Sequence, residues 1–98
     1  MNIPRPEYDM IEMGRKMKYY RELRGFTVED VREYMQFSSV EAVYKWESGK
    51  CFPSADNLVA LAELYQVNPI DLMPKRKKGI KILLELENRT NLDYIVLV

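Results

Sequence analysis

Residues Thr27 to Lys50, reading TVEDVREYMQFSSVEAVYKWESGK, constrain this chain more than any other stretch. Thr27 is a capping residue type, and Glu29 and Asp30 behind it suit the positive end of a helix dipole. Val31, Tyr34 and Met35 follow at i, i+3 and i+4, the spacing of one apolar helix face. The segment Gln36–Ser39, polar apart from Phe37, then interrupts the pattern as a tight turn. A second short helix is predicted over Val40–Glu47, with Val43 and Trp46 turned inward, and it stops at Ser48–Gly49. The local geometry is therefore two short helices meeting across a tight turn.

Helices extend on both sides. From Asp9, a plausible N-cap, to Arg24, the positions Met10, Met13, Met17, Tyr20 and Leu23 repeat at helical spacing and predict one buried face. Gly25 follows a last turn made basic by Arg21 and Arg24, as helix ends favour. After the Cys51–Pro53 loop, Ser54 is predicted to cap a fourth helix whose Leu58, Leu61, Ala62 and Tyr65 share a face, closed by Val67. Asn68–Pro69 opens a short fifth helix, with proline at its tolerated first position, ending near Met73–Pro74. The expected fold class is mainly α, a five-helix bundle over residues 9–74 behind a flexible lead-in at 1–8.

The remainder changes character. Lys75-Arg76-Lys77-Lys78-Gly79 reads as a basic linker over 75–79. A charge run of this kind is by default solvated, although it can reach flanking phosphates or resemble an import tag. Beyond it, Ile80, Ile82, Leu84 and Leu86 alternate with Lys81, Leu83, Glu85 and Glu87, and Leu92, Tyr94, Val96 and Val98 alternate after the polar break at Asn88–Asn91. Period two favours a C-terminal β-hairpin over 80–98, while Leu, Glu and Lys keep a helix open for Ile80–Glu87. An isolated hairpin is marginal, so this segment is expected to pack on the bundle or to build a homodimer.

Composition narrows the chemistry. The chain has 98 residues, no histidine and one cysteine, Cys51. Neither a usual metal set nor a Cys–His or Ser–His pair can be assembled, so no enzyme, metal or cofactor is expected. Cys51 reads as a loop residue, with a redox switch as the lesser alternative. A lone thiol cannot staple the fold, which points to a reducing cytoplasm. No apolar run reaches the roughly 18 residues of a membrane span, MNIPRPEYDM lacks the apolar core of a secretory signal, and no small-molecule site is evident. Net charge is zero: residues 1–74 hold nine basic and twelve acidic side chains, and residues 75–98 hold six and three. A balance like this predicts weak non-specific binding to any polyanion.

Two helices joined by a turn of three or four residues are the sequence form of a helix-turn-helix, in which the first helix braces the second against a DNA major groove. With Arg21, Gly25, Phe26 and Thr27, the unbroken Trp46-Glu47-Ser48-Gly49-Lys50, and Pro53, Ser54, Leu58, Leu61 and Ala62 in this order, the chain resembles the lambda-repressor-like (Xre-type) helix-turn-helix family of regulators from about Met13 to Met73. Three departures stand out. Val28 occupies a position where the family often has a phosphate-contacting glutamine, Gln36 replaces the usual turn glycine, and Met35 to Trp46 is one residue longer than the commonest spacing.

The resemblance implies sequence-specific DNA binding by a cytoplasmic regulator, a repressor on family grounds. By matching Val43 and Trp46 to the family's buried positions, the groove-facing candidates become Ser39, Val40, Glu41, Tyr44 and Lys45. Lys45 can donate to guanine O6/N7, Glu41 can accept from cytosine N4, and Val40 can pack on a thymine methyl. A solvated face, with Ser39 only an N-cap, is the plainer alternative. Thr27, Ser38 and Lys50 are candidate phosphate contacts, Thr27 being more surely a helix cap. The resemblance also implies a structural salt bridge between Arg21 and Glu47. Partners expected are double-stranded DNA and a second copy, joined through residues 80–98. The competing reading is a protein-interaction module, such as an antitoxin or adaptor, that keeps the fold without reading DNA; zero net charge, Val28 and Glu41 favour it.

Overall fold

A computed structural model describes residues 2–77. Helix α1 spans Met10–Leu23, α2 Val28–Met35, α3 Glu41–Glu47 and α4 Ala55–Tyr65, and a single 3-10 turn covers Pro69–Leu72. Among the described residues there are thus four α-helices and no strand. The expected fifth helix is that 3-10 turn. Pro69 starts it, but Met73 is already extended (φ −83°, ψ 149°), so the segment is too short for an i→i+4 ladder. The expected hairpin and dimer segment at 80–98, and Lys78–Gly79 of the linker, lie outside the described residues.

Tyr8–Lys75 makes one compact unit, and residues 2–7 and 76–77 fall outside it. Within the unit the Asp9 N–H donates to Lys75 O at 2.7 Å. Outside it, the Lys77 N–H donates to Glu7 O at 2.9 Å, and Lys77 Nζ pairs with the Glu7 carboxylate at 3.3 Å.

Helix ends follow their capping chemistry closely, with two corrections. Asp9 Oδ1 accepts from the Glu12 N–H at 2.9 Å. At α2 the match is fuller than expected: Thr27 Oγ1 accepts from the Asp30 N–H at 3.0 Å and Asp30 Oδ2 accepts from the Thr27 N–H at 2.8 Å, a reciprocal capping box. Asn68 and Asp71 repeat that arrangement at the 3-10 turn. Ser54 holds the cap position of α4 but makes no side-chain cap bond; its hydroxyl donates to Asp56 Oδ1 at 2.6 Å and holds that carboxyl below its ordinary range. Ser39, expected to cap α3, is one residue early. Val40 is the N-cap and has no side-chain acceptor to offer, while Ser39 Oγ accepts from the Glu41 N–H only at 3.4 Å.

The core draws Met13 and Met17 from α1, Val31 from α2, Val43 and Trp46 from α3, Leu58, Leu61, Ala62 and Tyr65 from α4, and Leu72 from the 3-10 turn. Two residues expected in it are outside. Leu23 is 60% exposed and Tyr34 45% exposed. Leu23 stands about 120° around the helix from Met17, at 100° per residue, whereas Arg21 stands about 40° from it and takes the inward place. Arg21 is buried. Its neighbour Arg24 turns to α4, where Nε donates to Tyr65 O at 2.7 Å and satisfies a carbonyl at that helix's end.

Candidate nucleic-acid interface

The turn between α2 and α3 is built without glycine. Gln36 adopts the left-handed conformation at φ 61° that glycine ordinarily serves, and its N–H closes on the carbonyls of Arg32 and Glu33. Arg32 Nη1 donates to Phe37 O at 2.7 Å and braces the next residue from α2. The Phe37 ring then meets Trp46 edge to face, centroids 5.7 Å apart. A turn of this kind can do without a glycine because side chains from both flanking helices hold it.

Helix α3 is fixed from behind. Val43 and Trp46 are buried, and α1 supports the last turn at three points. At Gly14 a Cβ would stand 2.7 Å from Trp46 O and closer still to Glu47 O, so only a glycine lets the two backbones approach this near. At Gly49 (φ 79°) a Cβ would stand 2.8 Å from Met10 O. Between α1 and the end of α3 runs the Arg21–Glu47 pair: Nε to Oε2 at 2.6 Å and Nη2 to Oε1 at 3.0 Å, a two-pronged bond, with Nη1 donating to Phe26 O at 2.9 Å. Both side chains are about nine-tenths buried. The bond to Glu47 raises the Arg21 pKa further above its already high value, against the opposing effect of burial. Such a pair specifies orientation more than it adds net stability, because desolvation offsets most of the attraction.

The opposite face is open. Ser39, Val40, Glu41, Tyr44, Lys45, Ser48 and Lys50 line one shallow concavity of ≈ 570 Å³. All five residues expected to face a groove are on it, joined by Lys50, which was assigned to phosphate. Ser48 was missed, although it lies one helical turn beyond Tyr44 and Lys45 and so on the same face; its hydroxyl donates to Lys45 O at 3.2 Å. Thr27 and Ser38 are exposed but lie outside this concavity, and the Thr27 hydroxyl is occupied by its capping bond. Val28 packs half-buried against the core.

Two of the three charged side chains on this face, Glu41 and Lys45, pair with each other. Lys45 Nζ lies 3.0 Å from Glu41 Oε1, one helical turn away, with the side chains 49% and 70% exposed. The hydrogen bond holds the Glu41 carboxyl below its ordinary range and raises the Lys45 ammonium correspondingly. Tyr44 projects beside the pair, 56% exposed. The arrangement thus presents donors, acceptors, an aromatic ring and an aliphatic group together on one open face, a mixture suited to a polar, patterned partner. Cys51 is exposed nearby in the chain. Among the described residues no cluster of His, Cys, Asp or Glu could hold a metal, and no helix is long and apolar enough to cross a membrane.

Comparison with known proteins agrees with this geometry. The helix-turn-helix family model matches residues 17–72. The HTH-type transcriptional activator BcrR of Enterococcus faecalis is 31% identical over 85 residues, covering 87% of this chain and 40% of that protein. The chain therefore spans about two fifths of that relative's length. Among solved structures, the restriction-modification controller protein C.AhdI from Aeromonas hydrophila superposes with a TM-score of 0.59 at 22% identity, covering 66% of this chain and 97% of that one. The DNA-binding domain of BldD from S. venezulae gives 0.56 at 26% identity, covering 66% and 96%.

Proposed function

We propose, given that this chain belongs to the lambda-repressor-like (Xre-type) helix-turn-helix family, that it is a sequence-specific DNA-binding regulator of transcription that reads the major groove with α3. One observation supports this above all. A helix with a buried, clamped back turns Ser39, Val40, Glu41, Tyr44 and Lys45 together onto one open face. An α-helix with its side chains is about 10–12 Å across, which a major groove about 12 Å wide accepts. Lys45 donates to guanine, Glu41 accepts from cytosine, Val40 meets a thymine methyl, and Ser39 and Tyr44 reach base edges or the adjoining phosphates. Lys50, Ser38 and the N–H groups at the start of α2 beside Thr27 fix the register on the backbone.

The named activities of the relatives favour the same reading. BcrR is named a transcriptional activator and the BldD fragment a DNA-binding domain. The regulator acts in the cytoplasm as a homodimer, whose two α3 helices meet half-sites about 34 Å apart or a multiple of it. Repression follows from an operator that overlaps a promoter, and activation from one beside it; α3 serves both in the same way.

The test is duplex binding by the full chain, using genomic fragments to find the site and fluorescence anisotropy to measure it. Affinity is expected to fall steeply with salt as phosphate counterions are released, and Lys45→Glu to weaken binding at least about tenfold. Selection of no fragment, with no salt-dependent binding even at low ionic strength, would leave the protein-interaction reading in possession.

A further inference from the structure

We propose that Glu41 and Lys45 act as one reading unit that recognises a single G·C base pair, the ammonium on guanine and the carboxylate on cytosine. The inference rests on α3 facing the major groove, and adds to it a specific substrate feature. Its starting point is the 3.0 Å separation of Lys45 Nζ and Glu41 Oε1 on an exposed edge of the helix. A G·C pair offers the major groove a matching set: the N7 and O6 acceptors of guanine lie beside the N4 amino donor of cytosine. Donor beside acceptor on the protein thus meets acceptor beside donor on the base pair.

The ion pair does not have to break for this. A lysine ammonium has three N–H donors, so one can stay on Glu41 while the others reach O6 and N7. A carboxylate has about four lone-pair directions, so Glu41 can accept from Lys45 and from cytosine together. Against an A·T pair the pattern is wrong. The adenine N6 amino group then stands where guanine O6 would be and opposes the ammonium, while thymine O4 opposes the carboxylate.

Pairing also explains how a chain of zero net charge can be selective. An unpaired Lys45 would gain from any phosphate it met. Bound to Glu41 it carries no net charge to the backbone, so attraction to arbitrary duplex is low while complementarity to one base pair is kept. Glu41 is in this sense a specificity-determining residue, and its carboxylate opposes binding everywhere else.

The experiment selects binding sites for the full chain from a randomised duplex library. It then compares wild type with Glu41→Ala and Lys45→Met, both changes at exposed positions of α3. Wild type is expected to select a half-site with one G·C pair whose replacement by A·T weakens binding about 10- to 100-fold. Glu41→Ala is expected to bind random duplex more tightly than wild type while its G·C over A·T preference at that pair falls toward one. Lys45→Met is expected to lose preference at the same pair. Loss at two different pairs, or retention of full preference by either variant, overturns the joint reading and leaves DNA binding intact. A wild-type chain that enriches no duplex overturns both.

Discussion

Gly14→Ala is the sharpest probe of how α3 is held. In a free helix this substitution stabilises by about 1 kcal/mol, because glycine loses more backbone entropy than alanine on folding. Here the added methyl would stand 2.7 Å from Trp46 O and nearer to Glu47 O, against the 3.4 Å at which ordinary contact begins. Both obstacles are backbone carbonyls, which have no rotamer to swing away. Clearing Trp46 O alone requires α1 and α3 to part by about 0.7 Å, and clearing the nearer Glu47 O requires more; an overpacked contact of this kind costs about 3 kcal/mol at the stiff end of the range. Subtracting the propensity gain leaves a net loss of about 2 kcal/mol. For a domain of this size that lowers the melting temperature by about 8–16 °C. Thermal unfolding of the full chain, followed by far-ultraviolet circular dichroism, reads this directly. Gly25→Ala is the control: it has no neighbour within 4 Å but sits at φ 79°, so its loss of about 1–2 kcal/mol comes from backbone conformation alone. A Gly14→Ala chain as stable as wild type would refute the claim that close backbone approach seats α3.

Gln36→Gly, at φ 61°, is expected to raise the urea midpoint by the equivalent of about 0.5–1 kcal/mol, since glycine enters the left-handed region without the Cβ penalty; an unchanged or lower midpoint argues against strain in the turn. Arg21→Met strands Glu47 in a buried site and should cost about 3–5 kcal/mol by urea unfolding, whereas adding Glu47→Leu restores most of it; a double variant no better than the single one would mean the pair adds net stability of its own. Tyr65 makes stability depend on alkaline pH. Burial raises its hydroxyl above the ordinary value, so the folded chain keeps a proton that the unfolded chain releases near pH 10; stability is complete below about that pH and falls above it, by up to about 1.4 kcal/mol per pH unit. Tyr65→Phe should flatten that alkaline decline, and an identical slope in both chains would assign it elsewhere.

Much of this structure is legible in the amino-acid order, and the misses have physical causes. Helices α1, α2 and α4 follow from apolar period and caps, because Asp9 and Thr27 accept the hydrogen bonds that their chemistry invites. Leu23 and Tyr34 were misassigned because a window of helical spacing admits residues 60° to 120° away from the true core direction. Arg21 shows the converse: a charged side chain takes an inward place because a carboxylate 26 positions later completes it, a partner that no local pattern contains and that only the family resemblance supplied. Helix α3 starts past Ser39 and leaves Val40 at the cap, a boundary that capping chemistry alone does not mark because valine has no acceptor. Ser48 could have been found by extending the face one further turn. Gly14 could not, since its constraint comes from carbonyls of a distant helix.

The bond from the Asp9 N–H to Lys75 O brings the entrance and exit of the compact unit side by side. A fold closed at its neck can be spliced into a surface loop of an unrelated host without stretching, and can be cut open elsewhere and rejoined there. Tension applied through both flanks would load this one closure in series before it reached the helices. Segments grafted before residue 9 and after residue 75 would start from almost the same spot, at the high local concentration that favours their mutual encounter.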